Sequence, residues 1–216
     1  MQLPAFYPIV SSVAAAQIVL EAGARILQYR NKNFFSRAAF EEAGRIAAMC
    51  RGAGALFVIN DRADVAKLLN AALHLGQDDL APSDARRILP APAIIGFSTH
   101  NEQQLRAGDR EPVDYLALGP IFATGSKQNP DPVVGLDRLR SLRALTQKPL
   151  VAIGGITREV APQVFAAGAD SVAIIGDLIP DPYSPAALRA RAKEWLAISA
   201  DVRARGIAGE DAAPPR

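Results

Sequence analysis

The stretch ILQYRNKNFFSRAAFEEAGRIAAMCRGAGALFVIND, from Ile26 to Asp61, decides the fold. It opens on a short apolar run, Ile26–Tyr29, and returns to another, Leu56–Ile59. Both are too short for helices, and their apolar residues sit side by side rather than alternating. Such runs belong to strands buried on both faces, as a parallel sheet requires. Between them, Ser36–Arg51 sets Phe40, Ala43, Ile46 and Ala47 on one helical face, the stripe of a helix packed on a sheet. Ser36 is placed to cap the start of that helix and Gly52 to end it. The unit is strand, helix, parallel strand.

Working outward, the same alternation fills most of the chain. Further strands are predicted at Phe6–Val10, Leu73–Leu75, Ile94–Phe97, Tyr115–Leu118, Leu150–Ile153 and Ser171–Ile175. Asn101 and Thr157 are expected to cap two of the intervening helices, and Gly23 and Gly168 to stand at helix ends. Eight strand–helix pairs fit a single (β/α)8 TIM barrel over residues 1–200. No G-x-G-x-x-G turn follows the first strand, which weighs against a dinucleotide-binding sheet. Residues 201–216, polar and rich in small side chains, are expected to be a flexible C-terminal tail.

Composition bounds the remaining possibilities. The 24 basic and 22 acidic residues of the 216 leave a net charge of +2, so no electrostatic case exists for nucleic acid. The one cysteine, Cys50, cannot form an internal disulfide and is expected to be a buried thiol. No run approaches the roughly 20 apolar residues of a membrane span, and Met1–Val10 lacks a secretory pattern. The expected protein is cytoplasmic and soluble, acts on small molecules and has neither nucleic acid nor membrane as partner; a homo-oligomer is allowed.

In a barrel of this kind chemistry gathers where the strands end, and here the polar residues do the same. The second strand runs into Gln28, Arg30 and Lys32. The third ends in Asn60 and Asp61, and the fourth in His74 followed by Gly76, Gln77, Asp78 and Asp79. The fifth delivers Ser98, Thr99 and His100, and the sixth Gly119, Pro120, Thr124, Ser126 and Lys127. The seventh ends in Gly154, Gly155, Ile156 and Thr157, and the eighth in Ile175, Gly176 and Asp177. Each piece also has a plain reading. Asp61 can cap the helix from Arg62 to Asn70, Asp79 can close a loop, Arg30 and Lys32 can be a solvated basic pair, and Gly154-Gly155 can be a tight turn. Taken alone, His74 reads better as a hydrogen-bonded barrel histidine than as an acid or base.

Together, two carboxylates on adjacent strands suit a hard divalent cation, and Mg2+ takes few protein ligands beside phosphate and water. Arg30, Lys32 and Lys127 suit phosphate oxygens. Backbone N–H groups at Gly154, Gly155 and Gly176, read as helix starts, suit a second phosphate.

The series QYRNK, VINDR, HLGQDD, GFSTHN, DYLALGPIFATGSK, VAIGGIT and AGADSVAI, in this order from Ile26 to Asp177, resembles the thiamine phosphate synthase family. The resemblance implies a transferase of the pyrimidinylmethyl group. It would join 4-amino-2-methyl-5-(diphosphomethyl)pyrimidine to 4-methyl-5-(2-phosphoethyl)thiazole with loss of pyrophosphate. It further implies that Gln28, Arg30, Lys32, Asn60, Ser98 and Lys127 hold the pyrimidine pyrophosphate, with Arg30, Lys32, Lys127 and Ser98 as the catalytic set. Asp61 and Asp79 would hold one Mg2+, and Thr124, Ser126, Gly154, Gly155, Ile175 and Gly176 the thiazole phosphate. Ser126 stands where the family commonly has a second threonine, and Gly176 where it often has serine. Two other readings are a thiazole tautomerase of the same fold, with His74 as acid or base, and a non-catalytic barrel that captures thiamine intermediates. Ala123–Val133 is long enough for a lid.

Overall fold

In a computed structural model, which describes residues 1–31, 36–125 and 131–206, eight parallel strands close into a barrel in sequence order. The strands are β1 (Phe6–Val10), β2 (Ile26–Tyr29), β3 (Leu56–Asn60), β4 (Ala72–Leu75), β5 (Ile95–Thr99), β6 (Tyr115–Leu118), β7 (Leu150–Ile153) and β8 (Ser171–Ile174). Between and after them run α1 (Val13–Ala22), α2 (Arg37–Ala53), α3 (Ala63–Leu69), α4 (Pro82–Ile88), α5 (Glu102–Arg110), α6 (Leu136–Arg143), α7 (Ala161–Ala166) and α8 (Pro185–Ala204). Closure is made by β1 against β8, with Phe6 beside Val172 and Pro8 beside Ile174.

The pleat sorts each strand's residues into two layers. Phe6 and Val10 face the helices, where Phe6 stacks on Trp195 of α8 at 5.9 Å between ring centres. Tyr7 and Ile9 face the barrel interior, where they meet Ile26, Val58, Tyr115 and Val151. Nearly every strand residue is buried, which is why the strands read as continuous apolar runs. Each large aliphatic side chain so buried contributes about 1.5–3 kcal/mol.

Several boundaries differ from the sequence reading. α2 runs through Gly52 to Ala53, and Gly54 takes the left-handed cap at φ 62; Gly52 is an ordinary helical residue. Thr157 is not a cap: α7 begins only at Ala161, behind Val160, and the Thr157 carbonyl accepts from the Ala161 N–H. α8 continues to Ala204, with Val202 buried against the core, because its apolar face outlasts the polar composition that suggested a tail from residue 201. The caps Ser36 and Asn101 are as expected, each accepting from the backbone N–H three residues on. Cys50 is fully buried on α2. None of the helices among the described residues is long and apolar enough to cross a membrane.

One glycine shapes the interior. A Cβ on Gly96 would lie 2.0 Å from Cζ of Tyr115 on the neighbouring strand, so the phenol ring lies where any side chain would stand. Gly96→Ala is therefore expected to lower the unfolding free energy by at least about 1–3 kcal/mol, read from urea denaturation; unchanged stability would mean the ring is not seated there.

Candidate active site

At the C-terminal rim, β2 to β4 bring acidic and basic groups together. Arg30 leaves β2 with its N–H on the Val10 carbonyl at 2.9 Å. After Asn60 the chain makes a three-residue turn centred on Asp61, whose φ is 66, a left-handed value rare outside glycine. The Arg62 N–H reaches the Asn60 carbonyl at 2.8 Å and the Asp61 N–H the His74 carbonyl at 2.8 Å. The helix-capping alternative for Asp61 fails here. Arg62 precedes α3 without a side-chain cap, and it pairs instead with Asp64.

Asp79 closes its own loop, accepting from the Gly76 N–H at 2.6 Å, and lies close enough to Asp61 to disfavour its ionisation. Burial first, then the Asp79 carboxylate, pushes Asp61 up to about 7, while Arg30 pulls it down. Among the described residues no cluster of three or more His, Cys, Asp or Glu stands ready for a metal. A crowded pair of carboxylates beside an arginine fits Mg2+, which keeps water and substrate phosphate as its other ligands.

Inside the barrel, below this rim, lies a line of polar groups that the sequence did not announce. Gln28, itself buried, donates to Tyr7 Oη at 3.0 Å. The Tyr7 and Tyr115 hydroxyls are 2.9 Å apart, Tyr115 Oη is 2.9 Å from His74 Nδ1, and His74 Nε2 is 2.9 Å from Ser98 Oγ. Burial pushes both phenols well above their ordinary range. The same burial pushes His74 down to about 4, against the pull of Asp79, so its ring is neutral near pH 7. With both ring nitrogens bonded, His74 is the satisfied barrel histidine of the plain reading. Tyr7 and Tyr115 were missed because they read as apolar strand residues; the one signal was a pair of hydroxyl tips at inward positions.

On the opposite side the loops after β6 and β7 are laced together. Ile121 N–H donates to the Ile153 carbonyl at 2.9 Å and Phe122 N–H to the Gly154 carbonyl at 3.0 Å. Gly154 and Gly155 have φ of 96 and 64, and a Cβ on either would strike Pro120 or Ala123 at 2.6 and 2.4 Å. The sequence placed these N–H groups at a helix start. They lie instead in a turn well ahead of α7; a turn can gather successive N–H groups for an anion without a helix. Thr124 is half-buried on the loop after β6. Gly176, exposed, opens a turn in which Leu178 N–H donates to the Ile175 carbonyl at 3.2 Å.

Asp177 fastens these loops from behind. Its carboxylate accepts from Arg158 Nε and Trp195 Nε1, both at 2.9 Å, while Arg158 also pairs with Glu194. The base of the long loop is stapled by Val134 N–H on the Pro120 carbonyl at 2.8 Å, and His100 Nδ1 holds the Gly119 carbonyl at 2.6 Å. The structure thus gathers Gln28, Arg30, Asn60, Asp61, Asp79 and Ser98 on one side of the mouth. Thr124, Gly154, Gly155, Ile175 and Gly176 fall on the other. Lys32, Ser126 and Lys127 lie outside the described residues, as does the middle of the Ala123–Val133 loop.

Comparison with known proteins identifies the family. A family model described as thiamine monophosphate synthase matches residues 7–178. The thiamine-phosphate synthase of Koribacter versatilis is 50% identical over 184 residues, covering 85% of this chain and 84% of that one. That of Methanoregula boonei is 41% identical over 180 residues, covering 83% of each chain. Among solved structures, a thiamine phosphate pyrophosphorylase from Pyrococcus furiosus superposes with a TM-score of 0.81 at 29% identity, over 92% of this chain and 96% of that one. With four-fifths of its length inside the matched model, and 50% identity over 184 residues to one relative, the chain belongs to the thiamine monophosphate synthase family.

Proposed function

We propose that the chain is a thiamine phosphate synthase. It joins the methylene carbon of 4-amino-2-methyl-5-(diphosphomethyl)pyrimidine to the ring nitrogen of 4-methyl-5-(2-phosphoethyl)thiazole, and the carbon–oxygen bond to pyrophosphate breaks. The observation that carries this reading is the division of the mouth: a carboxylate pair beside Arg30 on one side, two left-handed glycines on the other. A substrate with a metal-loving pyrophosphate and a second with a lone monophosphate match the two sides.

Arg30, with Lys32 and Lys127 from the family resemblance, presents charge-assisted donors to the leaving pyrophosphate, stabilising charge as it develops. Asn60 and Gln28 orient the same substrate, and Ser98 meets its ring. Thr124, Ser126, Gly154, Gly155, Ile175 and Gly176 hold the thiazole phosphate and so aim the attacking nitrogen, the gain that positioning brings. Asp61 and Asp79 would hold Mg2+, which when bound supplies Lewis-acid help to the departing pyrophosphate. A departure assisted in this way needs no protein nucleophile and no strong base. The neutral, doubly bonded His74 supports that economy and weakens the tautomerase reading, which would need it free to exchange protons.

Purified protein given both substrates is expected to release pyrophosphate in step with thiamine phosphate and to stop in EDTA. No release from folded protein, with both substrates intact, would remove this assignment in favour of the tautomerase or the capturing barrel; release that ignores EDTA would remove the metal from it. Asp79→Ala is expected to abolish Mg2+-dependent turnover, a loss of at least about a hundred-fold, with the circular dichroism of the folded barrel retained.

The carboxylate pair also sets a pH dependence. Asp61 titrates near 7 in the folded chain, against an ordinary value of 3.8. The folded state therefore holds more protons than the unfolded one across that window, and this group's contribution to stability falls as pH rises through it. His74, lowered from 6.5 to about 4, works in the opposite sense over its own window. Mg2+ binds the ionised pair, so it is expected to raise the melting temperature more above about pH 7 than below about pH 5. An equal rise at both would place the metal elsewhere. In metal-free protein, Asp79→Asn is expected to return the Asp61 carboxyl toward its usual range in a 13C-detected titration.

A further inference from the structure

The line Gln28–Tyr7–Tyr115–His74–Ser98 crosses the barrel through five strands and contains hydrogen bonds of 3.0, 2.9, 2.9 and 2.9 Å. Tyr7 and Tyr115 are 1% and 0% exposed, so water does not complete their bonding. Each phenol owns one proton, and each proton must find an acceptor within the line. With the Gln28 amide turned N–H toward Tyr7, that requirement fixes the direction of every bond.

The Gln28 amide N–H donates to Tyr7 Oη. The Tyr7 proton then has Tyr115 Oη as its one remaining partner, and the Tyr115 proton goes to His74 Nδ1. Because Nδ1 accepts, the single proton of the neutral ring sits on Nε2 and is donated to Ser98 Oγ. Ser98 Oγ has no other bond among the described residues, and the residue is half-buried at the end of β5. Its own proton is thereby turned toward the mouth. At the other end, the Gln28 amide oxygen accepts from no described residue and is the acceptor on which the line ends.

The reversed line fails for as long as the Gln28 amide N–H faces Tyr7; it closes only with that amide turned over, which would also reverse the polarity of the mouth. A proton on Nδ1 would send the Tyr115 proton to Tyr7, and the Tyr7 proton would then meet the Gln28 N–H head-on. An imidazolium produces the same collision. One unsatisfied buried donor disfavours these arrangements by roughly one to two orders of magnitude.

We infer that Tyr7, Tyr115 and His74 are positioning residues that give the barrel mouth a fixed polarity, a hydrogen-bond donor at Ser98 and an acceptor at the Gln28 oxygen. Gly96 belongs to the same device, since its missing side chain is what lets the Tyr115 ring lie across the interior. A planar heterocycle held there presents a lone pair to Ser98 and an N–H to Gln28. For the aminopyrimidine of the proposed reaction, on which this last step rests, a ring nitrogen and the exocyclic amino group are that pair. The line thus selects the pyrimidine substrate and not the thiazole.

The test has two arms, and the first needs no substrate. The chain contains two histidines, so a long-range proton–nitrogen correlation spectrum of 15N-labelled protein, with His100→Gln for assignment, reads the His74 tautomer directly. The Nε2–H form is expected in the wild type, and Tyr115→Phe is expected to bring in a measurable share of the Nδ1–H form. An Nδ1–H ring or an imidazolium in the wild type overturns the inference, whether or not the protein is a synthase. In the second arm, Tyr115→Phe and Tyr7→Phe are each expected to raise KM for the pyrimidine pyrophosphate roughly ten-fold, the worth of one misdirected hydrogen bond. KM for the thiazole phosphate should not move. Equal rises in both constants would reduce the phenols to packing and overturn the positioning role.

Discussion

The hydrogen bonds that join β1 to β8 have no substitute elsewhere in the chain. Eight four- or five-residue parallel strands left as an open sheet would end in two bare edges. Closure removes both edges, and it forces all eight strands to finish on one rim. It also creates a sealed interior too narrow for anything but side chains. From those two consequences come a mouth where loops from every strand meet and a floor whose polar atoms must satisfy one another.

The floor and the rim then divide the work. The floor is neutral and bonded internally, with phenols raised and the histidine lowered by the same burial. The rim carries the tension: an aspartate in a left-handed turn, whose carboxyl is pushed up by burial and by the neighbouring Asp79 carboxylate. Like charges held together without a counter-ion are costly in a folded protein, and they persist where a cation or substrate relieves them. Across the mouth the glycine loops are held by backbone lacing and by Asp177, which spends its carboxylate on Arg158 and Trp195. Arg158 is therefore a brace for the glycine loops, its guanidinium committed to Asp177 and Glu194.

Much of this was legible in the sequence, for a physical reason. Strands buried on both faces write themselves as apolar runs, and β1, β2, β6 and β7 have the bounds read from those runs. Rim residues declare themselves by charge at strand ends. Features set by three-dimensional contact were not legible. Gly52 and Gly54 are equivalent to a reader of sequence, and only the left-handed backbone at Gly54 separates them. Thr157 and Asp61 have the chemistry of caps, but α7 begins four residues after Thr157, and the turn at Asp61 carries its carboxylate toward Asp79. Tyr7, Gly96 and Tyr115 are far apart in sequence and unremarkable in composition; their meaning appears only when the barrel closes and sets one phenol against the next.

The central claim is that the mouth has two independent anion sites, one that needs a metal and one that does not. Isothermal titration calorimetry on wild-type protein and Asp79→Ala, with inorganic pyrophosphate and with thiazole phosphate, each with Mg2+ and with EDTA, tests it most directly. The account predicts that pyrophosphate binding requires both Mg2+ and Asp79, while thiazole phosphate binds with similar affinity in all four conditions. Pyrophosphate binding indifferent to Mg2+, or thiazole phosphate binding lost together with Asp79, would contradict it.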